Sequence, residues 1–223
     1  MPMTHPESIQ ALLTADDAGD RISGINQLRQ IDPAVAFQMI QPAINDANVR
    51  VRYAAVSQLA SLGLQDRHHA LELLRDRLLN DPELDVQAAA ADSLGALKLT
   101  EAYDDLEKLY HSTSEWLIHV SIVAALSEMG EPRAFELLCT ALSSENELVR
   151  TVAIGALGEF GDHRAIPLLI PYANSDDWQV RYRVVQALSR LDSPDVRATL
   201  EHLSHDPMES VAQEAKAYLN SGS

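Results

Sequence analysis

Only one cysteine, Cys139, occurs in 223 residues, so no intrachain disulfide can form and a zinc site built on two or more thiolates is excluded. A small buried hydrophobe in a reducing compartment is the expectation for it. Aromatic residues make up just 5% of the chain. A core so poor in rings is assembled from Leu, Ala, Val and Ile, which suits helix packed on helix. Positive charge is scarce too: Lys and Arg total 17 against 33 Asp and Glu, a formal charge of −16. That balance argues against a nucleic-acid phosphate backbone or an anionic membrane surface as partner. No apolar run approaches the roughly 18 residues that cross a bilayer, and no membrane insertion is expected. The opening stretch, MPMTHPESIQ, has neither the basic region nor the apolar core of a secretory leader, so a cytoplasmic location is expected.

Catalytic signatures are absent as well: there is no Walker loop, GxGxxG, HExxH or GxSxG. His68 and His69 are adjacent, point about 100° apart on a helix and cannot share a metal. His202 and His205, beside Asp206, have a spacing that fits a metal, but a helix end with solvated polar groups is the better account, and no metal is expected.

What is present is 46% hydrophobic and 22% charged residues, the composition of a folded soluble chain, and a repeat. The segment Val51-Arg-Tyr-Ala-Ala-Val-Ser-Gln-Leu59-Ala-Ser-Leu62-Gly63 returns from Val149 to Gly161 and from Val180 to Asp192. Weaker copies begin at Asp20, Val86, Ile118 and Val211, giving spacings of 31, 35, 32, 31, 31 and 31 residues. With the first residue of a copy at offset 0, apolar residues at offsets 0, 4, 8 and 11 fall within about 80° of one another on a helix wheel. Each such copy is therefore read as an amphipathic helix with one narrow buried stripe. Between copies lie second periodic segments such as 66–80, 131–143 and 162–174, each led by a capping or turn residue and often carrying an early proline. The repeating unit is a helical hairpin. A hairpin of this length cannot bury its stripe alone, so neighbours must stack. The expectation is an all-α, right-handed α-solenoid, a superhelix of about seven hairpins forming one domain over 1–223. Its units are approximately 6–32, 33–63, 66–98, 101–130, 131–161, 162–192 and 193–220.

The pattern Val-Arg-x-x-Ala-x-x-x-Leu-x-x-Leu-Gly, led by an Asp five residues upstream as at Asp46 and Asp81, resembles a HEAT repeat of the short bilin-lyase type. The runs Val49-Arg-Val-Arg-Tyr-Ala-Ala-Val-Ser-Gln-Leu59, Leu78-Leu-Asn-Asp-Pro82 and Asp177-Trp-Gln-Val-Arg-Tyr-Arg-Val-Val-Gln-Ala-Leu188 are similar to the family of cyanobacterial phycobilisome degradation (non-bleaching) proteins. That resemblance implies a role in dismantling chromophore-protein complexes. Its lyase relatives attach or remove linear tetrapyrroles on phycobiliprotein subunits.

The arginine at offset 1 recurs as Arg21, Arg52, Arg150 and Arg181, with Gln87, His119 and Ala212 in the other copies. A structural reading fits it: the side chain reaches a carboxylate at a neighbouring interhelix loop, Asp46, Asp81 or Asp176. His119 interrupts the ladder, either as a packing residue or as a local specialisation.

Offsets 2, 6 and 10 lie at 200°, 240° and 280°, away from the stripe. Second helices carry small residues there or beside them, such as Ser57, Ala88, Ser121 and Gly155, whereas first helices carry long charged ones such as Arg75 and Lys108. The second helices are therefore expected to line a concave groove. Along it stand Arg50, Tyr53, Asp92, Glu128, Glu159, Trp178, Tyr182, Arg183, Gln186 and Arg190. Arginine and aromatic residues clustered on an acidic protein have the composition of a binding hot spot. They also suit a planar pigment bearing propionates, because guanidinium forks grip carboxylates and ring faces cover rings. Packing of Trp178 and Tyr182 with merely solvated arginines is the alternative.

The expected function is binding of phycobiliprotein subunits (phycocyanin or allophycocyanin) or of a linear tetrapyrrole, phycocyanobilin, with assistance in chromophore detachment and phycobilisome disassembly. No resident cofactor is expected. A lyase-type detachment needs a base near the thioether, for which Asp92, Glu128 and Glu159 are candidates if the groove buries them. A non-enzymatic protein-interaction scaffold and a lyase that attaches chromophore remain as alternatives.

Overall fold

In the computed structural model, which describes residues 5–221, every regular element is a helix. No described helix is long and apolar enough to cross a membrane. The chain divides into two compact units, residues 1–125 and 126–223.

The first unit pairs α1 (Pro6–Leu13) with α2 (Ala18–Gln27), α3 (Pro33–Ile40) with α4 (Val49–Leu62), and α5 (Arg67–Asn80) with α6 (Leu84–Ala96). Next come α7 (Tyr103–Ser112) and α8 (Trp116–Met129), and the division falls inside α8. In the second unit α9 (Ala134–Leu142) packs on α10 (Glu147–Phe160), α11 (Ile166–Leu169) on α12 (Trp178–Leu188), and α13 (Pro194–Leu203) on α14 (Glu209–Ser221). Second helices of successive hairpins also touch: α2 on α4 and α4 on α6 in the first unit, α10 on α12 and α12 on α14 in the second. Stacked hairpins of this kind are the α-solenoid class that the repeat requires.

Helix starts follow their capping residues. Asp17, Asp32, Asn48, Asp66, Asn146, Asp177 and Ser193 each accept a hydrogen bond from a backbone N–H of the first turn. The segment 162–174, expected as one helix, is instead a 3₁₀ turn (His163–Ala165), the four-residue α11 and a second 3₁₀ turn (Ile170–Asn174). Pro171 has no N–H to extend the ladder, and its ring clashes with the preceding turn. Pro42 has the same effect after α3, where Gln41–Asn45 is also 3₁₀.

The expected stripe is buried: Val51, Ala55, Leu59 and Leu62 in α4, and Val86, Ala90, Leu94 and Leu97 at or just after α6. Burial extends further round the second helices than one narrow stripe. In α6, Ala88, Ala89, Ala91, Ser93 and Gly95 are covered too, because the helix is packed by its own partner and by neighbouring second helices. Two glycines at offset 9 set how close those neighbours come. A Cβ on Gly95 would lie 2.5 Å from Ala125 Cα, and one on Gly158 would lie 2.4 Å from Ala187 Cα. The second helices there meet backbone to backbone.

The offset-1 arginines form the expected ladder with one correction. Arg21 Nε and Nη2 donate to Asp46, Arg52 to Asp81 and Arg181 to Asp206, whereas Asp176 brings no carboxylate to the ladder. The accepting position is five residues before the next copy, and in the sixth copy that position is Ser175, so Asp176 contributes only its carbonyl. The third donor, Nη1, bonds the carbonyls at offsets −5 and −4 of its own hairpin, as in Arg52 to Asp46 and Ala47. His119 is a packing residue. Its Nε2 lies 3.0 Å from the carbonyl of Thr113, the offset −5 position, and 3.0 Å from that of Tyr110, on whose ring it stacks at 4.2 Å.

Candidate functional site

In the second unit, three of the residues expected to bind converge. Trp178 opens α12 directly after its cap Asp177, and one turn later Tyr182 and Arg183 project from the same helix. They wall a cleft of about 730 Å³ completed by Thr151 of α10 and by Ser210, Gln213 and Glu214 of α14. The repeat explains the convergence: Thr151, Tyr182 and Gln213 all occupy offset 2, and Arg183 and Glu214 both occupy offset 3. Stacked hairpins bring equal offsets side by side. Gln213 and Glu214 were missed in the sequence, although the offsets they share with Tyr182 and Arg183 were the signal that would have found them.

Trp178 is 38% exposed, with its indole open to the cleft. The Tyr182 hydroxyl donates to a Glu214 oxygen at 3.5 Å, and Arg183 Nη1 donates to Gln186 Oε1 at 3.2 Å. Arg183 is exposed and passes over Gly155, whose missing side chain leaves room for its stem. An aromatic face, an exposed guanidinium and amide donors in one hollow suit a planar ligand that carries negative charge.

The other candidates lie elsewhere. Just past the end of α12, Arg190 is 2.9 Å from Glu159 of α10, and Ser127 donates to the other Glu159 oxygen at 3.4 Å. Glu128 is exposed near the end of α8. In the first unit, Arg50 and Tyr53 line a separate hollow of about 430 Å³ with Val49 and Asp85, and Tyr53 is 48% exposed. Asp92 is exposed on α6. Asp92, Glu128 and Glu159 all face water, so the burial on which their use as a base depends is missing.

Among the described residues no group of three or more His, Cys, Asp or Glu is placed to hold a metal. The pair His202 and His205 lacks its third ligand because Asp206 is held by Arg181. That hydrogen bond keeps the Asp206 carboxyl below the usual carboxylate range. Burial, and then the nearby Glu136 carboxylate, push the Cys139 thiol up, the opposite of an activated nucleophile.

A family model described as HEAT repeats matches residues 6–94, 71–150 and 135–220. The fold is similar to that of the CpcE–CpcF complex of phycocyanin lyase from a Nostoc species, with a TM-score of 0.64 at 20% identity over 99% of this chain and 96% of that one. It is also similar to the Escherichia coli protein YibA, with a TM-score of 0.63 at 16% identity over 97% of this chain and 92% of that one. An engineered protein matches with a TM-score of 0.58 at 20% identity, over 96% of this chain and 67% of its own length. Likeness at these identities shows the fold alone. No curated protein sequence matches significantly.

Proposed function

The chain belongs to the HEAT-repeat family, a fold that does not by itself set a chemistry, and on that premise we propose that it is a cytoplasmic binder of phycobiliprotein subunits or their bilin. The observation that carries this reading is the cleft of Trp178, Tyr182 and Arg183, about 730 Å³ in volume. Arg183 supplies the fork for a pigment carboxylate, and Trp178 the face for a pyrrole ring. The likeness of fold to a phycocyanin lyase, and the sequence runs similar to the non-bleaching family, favour phycocyanin or allophycocyanin as the source of the pigment. Binding of this kind assists chromophore detachment and phycobilisome disassembly by holding the pigment or its subunit once the complex loosens.

Mixing the protein with intact phycocyanin and recording visible absorption over time tests the reading: loss of the bilin band marks detachment. Tyr182→Ala combined with Arg183→Ala is expected to weaken binding of bilin or phycobiliprotein at least tenfold without lowering the melting temperature, since each lost side chain removes about 1–2 kcal/mol. The control is Arg181→Ala, which acts on stability because Arg181 holds Asp206. Wild-type affinity in the double variant, or no binding by the native chain, rules the pigment out.

A protein-interaction scaffold without pigment is the second reading. Leu148, 56% exposed on α10, favours it as an apolar anchor. An unchanged bilin band with retained phycocyanin binding would select it.

A further inference from the structure

Three arginines of the ladder make the same bidentate grip, Nε and Nη2 on the two oxygens of an aspartate. The distances are 2.8 and 3.0 Å for Arg21, 2.9 and 3.0 Å for Arg52, and 2.6 and 2.9 Å for Arg181. In each, Nη1 is pinned by backbone carbonyls of its own hairpin. Arg150 repeats the pinned half of this arrangement, with Nη1 at 2.7 Å from the Ser144 carbonyl and 2.9 Å from that of Glu145. Its aspartate is missing. The position that holds Asp46, Asp81 and Asp206 in the other hairpins is Ser175 here, and the Ser175 hydroxyl is already turned to the Asp177 N–H. Among the described residues, the Arg150 fork makes only one charged contact, Nη2 to Glu147 Oε1 at 4.0 Å, and that glutamate side chain is 87% exposed.

Where the aspartate side chain would lie there is a cavity of about 290 Å³. Arg150 and Ser175 both line it, with Ile154, Val180, Leu148 and Tyr172 around them. We propose that this cavity is a carboxylate-binding site, in which the Arg150 fork takes the carboxylate of a bound molecule on a short apolar stem in place of the aspartate the repeat omits. The chemistry follows from the repeat itself: the same fork, held by the same carbonyls, binds a carboxylate wherever the chain supplies one. The apolar wall sets the stem. Two acidic groups oppose an anion there. Asp177 is occupied in capping the Gln179 N–H at 2.8 Å, and Glu147 competes for Arg150 from the solvent side. Bidentate geometry, and not the net field, has to hold the ligand. The site shares Thr151 and Gln179 with the cleft of Trp178 but is argued independently of any pigment.

Nitrogen-15 NMR of the full chain reads the site directly through the Arg150 Nε–H resonance, assigned by its loss in Arg150→Lys. Titration with butyrate is expected to shift that resonance saturably, while chloride at equal ionic strength does not, and the Arg181 resonance, already paired, stays put. Ser175→Asp should move the Arg150 resonance toward the paired arginines without ligand and weaken butyrate binding at least tenfold. Glu147→Gln, on an exposed side chain that leaves the fold untouched, should tighten it. Terminally blocked Gly-Glu-Gly separates the two sources of such a carboxylate. A shift by both probes assigns a glutamate side chain of a partner protein as a competent occupant, and a shift by butyrate alone assigns a small carboxylic acid. A linear response, an equal shift with chloride, or unaltered butyrate affinity in both Ser175→Asp and Glu147→Gln would overturn the proposal.

Discussion

Single side chains in this protein act through position in the repeat. Arg52 and Asp81 illustrate it: side-chain exposures are 10% and 0%, and each carboxylate oxygen of Asp81 takes one donor of the Arg52 fork. Burial alone would push the Asp81 carboxyl up, but the Arg52 hydrogen bonds, the Glu83 N–H and the nearby Arg77 together hold it below its ordinary value of 3.8. Arg52→Gln leaves that buried carboxylate with the Glu83 N–H and a single cation, Arg77 at 3.2 Å, and a loss of about 3 kcal/mol is expected in denaturant unfolding at neutral pH. The pH dependence has a definite sign. A carboxyl lowered by folding stabilises above 3.8 and gives that stability up as pH falls toward its folded value. The wild-type and Arg52→Gln stability curves should therefore converge below about pH 4, and curves that stay parallel into acid would refute the assignment. The pairing was legible in sequence at Asp46 and Asp81, where the aspartate stands at offset −5. It was misread at Asp176, one residue past the true register, where Ser175 leaves Arg150 without an aspartate; the same offset in the last copy is Asp206, the partner of Arg181.

For the helices, legibility followed periodicity. Offsets 0, 4, 8 and 11 marked the buried face because hydrophobic spacing alone determines it. The wide burial of α6 was not legible, since it depends on helices that pack from other hairpins, and alanine is silent about which face it presents. Two glycines in α10 separate these effects. Gly158 meets Ala187 backbone to backbone, so Gly158→Ala must push α12 away and is expected to cost about 1–3 kcal/mol. Gly155→Ala, three residues earlier, adds a methyl at ordinary contact, 3.5 Å from Arg183 Cδ, and should be neutral or stabilise by up to about 1 kcal/mol through helix propensity. Thermal melts of the two variants decide it; equal midpoints would mean that α10 and α12 do not touch where the glycine is. The third wall of the cleft escaped the sequence reading for a similar reason. Copy seven keeps the stripe at Val211, Ala215 and Leu219, but Gln213 and Glu214 have no aromatic residue beside them to draw notice.

Across the molecule the repeat makes hairpins exchangeable within limits that can be named. Deleting 162–192 from the second unit brings the fifth hairpin against the seventh, and the ladder then pairs Arg150 with Asp206, replacing the lost Arg181 contact. The same cut sets Tyr218, at the offset of Ala187, against Gly158. The shortened chain is expected to keep its helical circular dichroism with a lower melting temperature, and adding Tyr218→Ala to recover part of the loss. Loss of all helical signal would show that the hairpins do not stack as separable layers. The proline-broken segment His163–Asn174 gives the second unit an uneven grain. Its amides are closed by 3₁₀ turns and a single turn of α-helix, whereas those of α10 next to it belong to fourteen continuous helical residues. In heavy water the first group trades its protons well before the second. Opening is therefore expected to start in the first helical segment of the sixth hairpin, ahead of α10.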